Sequence, residues 1–174
     1  GNLVVDVHIE INFKFGPITL FRYVHQNREI WRDGRVQSIV SKTDNNGDPE
    51  FANLQRQGSA LVGSGTKYEG PIEDPIMPTT YFNPNFIHAT RFVSTQDARV
   101  LEAEVREIGR ETLVVPTGSL EATRFQLLGK LAIDIWYSDA GQWLRTEFSR
   151  GGNVLVINPV DISALPPRNE WARP

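Results

Sequence analysis

Near its start the chain carries three side chains whose types and spacing suit chemistry. Asp6, His8 and Glu10 alternate with Val5, Val7 and Ile9, so in an extended strand they share one face at steps of about 7 Å. Two carboxylates beside an imidazole are the raw material of a metal site or an acid–base pair. The same pattern is also the wet face of an amphipathic strand. His25 and His88 stand far away in sequence and complete no ligand set, so the solvated reading is the stronger one and no metal is expected.

A second candidate is Asp134, a charge between Ile133 and Ile135. Facing inward, it needs a partner such as Arg124 or Arg145, or a shifted pKa; facing outward, it is ordinary. A third is the stiff run Pro78-Thr79-Thr80-Tyr81-Phe82-Asn83-Pro84, which gathers hydroxyls, an amide and two aromatics in a loop, a common way of presenting binding residues. Its plain alternative is that the hydroxyls and Asn83 satisfy loop backbone and cap a helical turn. Trp31, Trp136, Trp143, Tyr23, Tyr81 and Tyr137 are large amphipathic rings that either line an apolar pocket or pack the sheet.

From these the candidate ligand-binding residues are Trp31, Tyr81, Asn83, Trp136 and Asp134. No catalytic residue is assigned. A Gly-rich phosphate loop, a nucleophile elbow and a metalloprotease helix are all missing from the sequence, and no cofactor is expected. Three functions stay open: a binder of an apolar or amphipathic small molecule, a small enzyme using Asp134 or His25 with Tyr81 as donor, and a module that pairs through a sheet edge.

Composition narrows the partners. The 174 residues carry 18 Lys and Arg against 21 Asp and Glu, a net charge of −3. No basic run exceeds two residues, so nucleic acid is not an expected partner. With no cysteine, thiol nucleophiles, thiolate metal sites and disulfides are excluded together. No apolar run approaches the roughly 20 residues of a membrane span. No signal peptide is legible, since the chain opens at Gly1-Asn2 directly before a strand; a targeting segment removed upstream stays open. The oligomeric state is not legible.

The elements that must position these residues read as strands. Leu3, Val5, Val7, Ile9, Ile11 and Phe13 form a period-two run. Gly16-Pro17 ends it, and a second strand from Ile18 has apolar or aromatic groups on both faces, which suits a mid-sheet place. Asp33-Gly34 predicts a type I′ hairpin turn, and Asp44-Asn45-Asn46-Gly47 a second, flanked by strands at 38–43 and 50–57. Gly58, Gly63, Gly65 and Gly70 then cut the chain into short strands. Pro71, Pro75, Pro78 and Pro84 forbid a central strand and predict an extended crossing loop, followed by a helical turn with Asn83 as N-cap and Pro84 at its first position. Strands resume at 100–107, 111–115, 121–128 and 131–137, turn at Ser138–Gly141, and close with 143–148 and 154–157. Residues 95–108, rich in Ala, Glu and Arg, also suit a helix, with strand favoured. The expected fold is all-β and mainly antiparallel, a curved meander forming a half-barrel or partial barrel with one or two short helices at most. It is organised as one domain over 1–158 and a Pro-rich tail over 159–174.

These residues resemble a bacterial family of exported proteins catalogued as a domain of unknown function, DUF6134-like and related to DUF3108. The resemblance rests on Phe21-Arg22-Tyr23, Glu29-x-Trp31-Arg32-Asp33-Gly34-Arg35 and Thr43-Asp44-x-Asn46-Gly47. It continues through Pro78–Pro84, Thr95-Gln96-Asp97, Asp134–Tyr137 and Gly141-x-Trp143. Phe82 stands where such proteins are expected to have Trp. The resemblance implies a periplasmic or envelope location, and a sheet like the half-barrels of lipoprotein carriers, which hold acyl chains on a concave apolar face. The latter is an analogy of fold and assigns no function by itself.

Overall fold

The computed structural model describes residues 1–115, 118–129, 132–150 and 152–159. The expected tail lies outside them from residue 160 onward, as does Leu131 of the predicted strand 131–137. Among the described residues the chain is all-β and mainly antiparallel, in open meanders rather than a closed barrel, with one short helical turn. It divides into two compact units, one of residues 1–79 and 92–101, the other of 80–91 and 102–174.

The first unit is built on a six-stranded meander: β1 (Leu3–Phe15), β2 (Ile18–Arg32), β3 (Arg35–Asn45), β4 (Asp48–Gln57), β5 (Ala60–Gly65) and β6 (Tyr68–Glu73), hydrogen-bonded in that order. The predicted turns set its register. Asp33 and Gly34 have φ of 51° and 72°, and Asn46 and Gly47 have 59° and 95°, the paired left-handed residues of a type I′ turn. Arg32 therefore opposes Arg35, and Asn45 opposes Asp48. β2 lies between β1 and β3 as expected, but only one of its faces is covered: His25, Asn27, Glu29 and Trp31 are buried, whereas Leu20, Arg22, Gln26, Arg28 and Arg32 of the other are exposed.

The glycines cut the strands less than expected. Gly63 and Gly65 lie inside β5, where added Cβ atoms would meet the Asn53 carbonyl oxygen at 2.0 Å and the Ala98 Cβ at 2.4 Å. Close approach of neighbouring backbone, rather than a chain break, explains them. Pro71 stands in β6, the last strand of the sheet, where a missing N–H is tolerated. Met77–Pro78 (β7) pairs in parallel with Arg91–Val93 (β8), and Val100–Glu102 (β9) completes this small sheet.

The second unit is a five-stranded meander of β10 (Glu104–Val115), β11 (Gly118–Leu128), β12 (Ile133–Tyr137), β13 (Trp143–Arg150) and β14 (Asn153–Ile157). The strands predicted at 100–107 and 111–115 are divided differently. β9 stands apart, and β10 runs unbroken through Gly109, whose φ of 146° accommodates a register shift against β11 without ending the ladder. Residues 95–108 contain no helix. Leu113, Ala122, Trp136 and Leu144 form a buried cluster. The predicted helical turn is a 3-10 turn, Pro84–His88, with Pro in its first turn and the Asn83 side chain accepting from the Asn85 N–H at 2.9 Å.

Candidate binding site

Period two along β2 places Tyr23, His25, Asn27, Glu29 and Trp31 on one face. This mostly polar row is the covered face of β2, while Arg22, Gln26 and Arg28 on the opposite face are exposed. His25 and Asn27 are each 3% exposed, Glu29 is 0% and Trp31 is 3%. Polar groups survive such burial when they bond to one another, and these do. The Trp31 Nε1–H donates to Glu29 Oε2 at 2.7 Å, and Asn27 Nδ2 donates to Glu29 Oε1 at 2.8 Å. Both carboxylate oxygens are thus engaged by fixed donors of the same strand.

The row continues at His25. Its Nδ1 is 2.8 Å from Thr43 Oγ1, the residue directly opposite on β3, and its Nε2 is 3.4 Å from Thr95 Oγ1. Burial pushes the His25 pKa down from 6.5 to about 4, so the ring is neutral at pH 7. Tyr23 stacks on His25 at 6.2 Å between ring centres, and its hydroxyl donates to Gln96 Oε1 at 3.0 Å.

Residues 94–99 lie over the β3–β5 side of this face. Ser41 donates from its hydroxyl to the Thr95 carbonyl and accepts there from the Ala52 N–H, while the Lys67 N–H donates to the Asp97 carbonyl at 2.9 Å. The Asp97 side chain is fully buried and bonds Arg99 at 2.5 Å. Ala98, also fully buried, is held at φ 65°, a conformation that costs a residue with a Cβ roughly 1–2 kcal/mol. Two 2.9 Å backbone bonds, Ala98 N–H to the Ser94 carbonyl and Ser94 N–H to the Arg99 carbonyl, hold the loop in that shape.

On the other flank the cover is thinner. Leu3, Val5, Val7, Ile9 and Ile11 of β1 oppose Trp31, Glu29, Asn27, His25 and Tyr23 in register, and each is only partly buried. β1 is an edge strand, and among the described residues no further strand pairs beyond it. Its other face carries Asp6, His8 and Glu10, all exposed, with Asp6 paired to Arg28 at 2.6 Å. This is the solvated face of an amphipathic strand, and among the described residues no group of three His, Asp or Glu is arranged to hold a metal.

One buried atom in the β2 row is unsatisfied. Asn27 Oδ1 has no hydrogen-bond partner among the described residues, an arrangement that costs roughly 1–3 kcal/mol unless something donates to it.

Of the five residues singled out from the sequence, Trp31 belongs to this row and the other four lie in the second unit. There, Asp134 and Trp136 share a face of β12 and are joined through Arg124. The guanidinium bonds Asp134 at 3.0 Å and lies 5.4 Å from the Trp136 ring centre. Gln126 donates to the same carboxylate at 3.0 Å, and Trp136 Nε1–H donates to Glu111. Arg124, the first of the two partners suggested for Asp134, is therefore the one that neutralises it. Tyr81 has φ 65° and meets Phe86 edge-on at 5.1 Å, while its carbonyl accepts from the Tyr137 hydroxyl. Desolvation raises the Tyr137 pKa well above its usual range, so this hydroxyl keeps its proton. Asn83 caps the 3-10 turn, and its buried Nδ2 has no partner among the described residues. His25 and Asp134 fall in different units.

Asn27, Glu29, Ser41, Thr43, Thr95 and Asp97 were not singled out for chemistry. For Asn27 and Glu29 the available signal was their alternation with Tyr23, His25 and Trp31 on a strand expected mid-sheet. Glu29, Thr43, Thr95 and Asp97 also stand among the residues that carry the family resemblance.

No helix among the described residues is long and apolar enough to cross a membrane. Neither a curated protein nor a solved structure matches the chain. A family model described as Domain of unknown function (DUF6134) matches residues 1–160, and the chain belongs to that family.

Proposed function

We propose that this protein is a non-enzymatic binder of an apolar or amphipathic small molecule, held on the β1–β2 side of the first unit's sheet. The observation that carries the reading is the aliphatic row Leu3, Val5, Val7, Ile9 and Ile11. It is partly exposed along an edge strand and lies in register beside a buried polar row. Sites for small molecules combine apolar walls with a few placed polar groups, and β1 and β2 supply one of each. Trp31 joins the two, standing opposite Leu3 in the register and donating its N–H to Glu29. An envelope location is part of the proposal and rests on the resemblance to exported proteins; fractionating cells that express the full-length chain tests it.

Native mass spectrometry of gently purified protein beside a denatured control tests the binding. The expected result is a reproducible added mass that vanishes on denaturation, and uptake of the fluorescent probe 1-anilinonaphthalene-8-sulfonate that Ile9→Asp reduces at least tenfold without a large change in melting. A clean apo mass together with no probe uptake by the folded protein would overturn the reading.

A further inference from the structure

We infer that β1 is a self-pairing edge: two copies of this chain join antiparallel along it, about a two-fold axis at Ile9, into one continuous sheet. The inference stands apart from the small-molecule reading, since it uses the backbone edge of β1 rather than the face of its aliphatic row.

Edge strands ordinarily carry something that blocks a further partner, such as short length, proline, a bulge or charge. Among the described residues the other edges of the two larger sheets do. β6 has six residues and holds Pro71, and β14 has five. β10 shifts register at Gly109 and carries Glu104, Arg106, Glu107, Arg110 and Glu111. β1 runs thirteen residues without proline, and its pairing with β2 is regular from Leu3 to Phe13.

The backbone of β1 offers its groups in a phase that a second copy can meet. The Arg22 carbonyl accepts from the Asn46 N–H at 2.7 Å, and the Arg22 N–H donates to Asn46 Oδ1 at 3.2 Å. Arg22 therefore turns its backbone toward β3. By alternation so do the other even residues of β2, while its odd residues turn toward β1. Those odd residues oppose odd residues of β1. Val4, Asp6, His8, Glu10 and Asn12 are left with N–H and C=O groups pointing away from β2.

Side chains select the register. A two-fold pairing must set these even residues opposite one another, so its axis falls on a residue of the strand. An axis at His8 opposes Asp6 to Glu10, and one at Glu10 opposes that carboxylate to its own copy; like charges directly opposite destabilise a pair. An axis at Val7 overlaps only residues 3–11 and sets His8 against Asp6, which Arg28 already holds at 2.6 Å. Ile9 is the middle of β1, so an axis there pairs all thirteen residues. It sets the exposed His8 of each copy opposite Glu10 of the other. Glu10 Oε1 accepts from Asn12 Nδ2 at 2.9 Å, which leaves Oε2 for the opposing imidazole N–H. On the other face the aliphatic row continues across the axis, with Val7 opposite Ile11 and Ile9 opposite its own copy.

Sedimentation velocity over a wide range of concentration, joined to single-cysteine cross-linking, tests the inference. The chain has no cysteine, so Ile9→Cys and Val7→Cys each report one distance. At the axis the two Ile9 positions form a non-hydrogen-bonded pair with Cα atoms about 4.5 Å apart, within disulfide reach. The two Val7 positions would be offset by four residues, about 13 Å. The wild-type protein should show a concentration-dependent dimer, and I9C should cross-link in air at least about tenfold faster than V7C. His8→Glu, on the exposed face, should weaken the dimer at least about tenfold, and adding E10H to it should restore most of the loss. A protein that stays monomeric at every concentration overturns the inference. So does a dimer in which V7C cross-links as readily as I9C, or one that H8E leaves unchanged. The H8E and E10H pair decides the register even if neither cysteine variant folds.

Discussion

Stability should depend on acid through His25, and the size of the effect follows from its surroundings. The ring is 3% exposed, with both nitrogens facing threonine hydroxyls that bond a neutral ring well. Its pKa falls from 6.5 in the unfolded chain to about 4 in the fold. Between those values the unfolded state binds a proton that the folded state refuses, so stability rises with pH across that window. The contribution is complete above about pH 6.5, is lost progressively as pH falls toward 4, and changes no further below that. At 1.36 kcal/mol per pKa unit the loss amounts to roughly 3 kcal/mol, a large share of the stability of an ordinary domain. Urea unfolding at about pH 7.5, 5.5 and 4, on wild type and His25→Gln, isolates it from every carboxylate that titrates in the same range. Gln keeps polar contact with Thr43 and Thr95 but cannot take up the proton. Wild type should lose roughly 3 kcal/mol more than H25Q between the extremes. Equal losses in the two proteins, or a His25 ring signal in NMR titrating near 6.5, would refute the assignment of a desolvated neutral ring.

Two further substitutions probe how each unit is held. Gly65→Ala places a Cβ within 2.7 Å of the Ala98 Cβ and of two backbone carbonyl oxygens, those of Asp97 and Phe51. It should cost about 1–3 kcal/mol in chemical denaturation and speed hydrogen exchange at Lys67 N–H, whose partner is the Asp97 carbonyl; unchanged exchange there would refute the close packing of residues 94–99 on β5. Tyr137→Phe removes the donor to the Tyr81 carbonyl and should lower stability by about 1–2 kcal/mol, with no change meaning that this carbonyl is otherwise satisfied.

The sequence by itself determined the strands and the turns between them. Alternation over Leu3–Phe13 reports a strand with one wet face whatever it packs against, and Asp33-Gly34 and Asn46-Gly47 specify hairpins because positive φ at both central residues is a local requirement. The cap at Asn83 was equally legible, since it involves residues two apart in the chain. The break expected between strands 100–107 and 111–115 is instead a register shift at Gly109, because a glycine tolerates either a break or a bulge and the neighbouring strand decides which. Tertiary structure alone decided the site. Whether Asn27 and Glu29 are surface polar groups or buried ones depends on β1, β3 and residues 94–99 coming together around them. Whether Asp134 meets Arg124 or Arg145 depends on the strand beside it. An acceptor left without a donor, such as Asn27 Oδ1, is a property of every neighbour at once, and no local pattern in the chain encodes it.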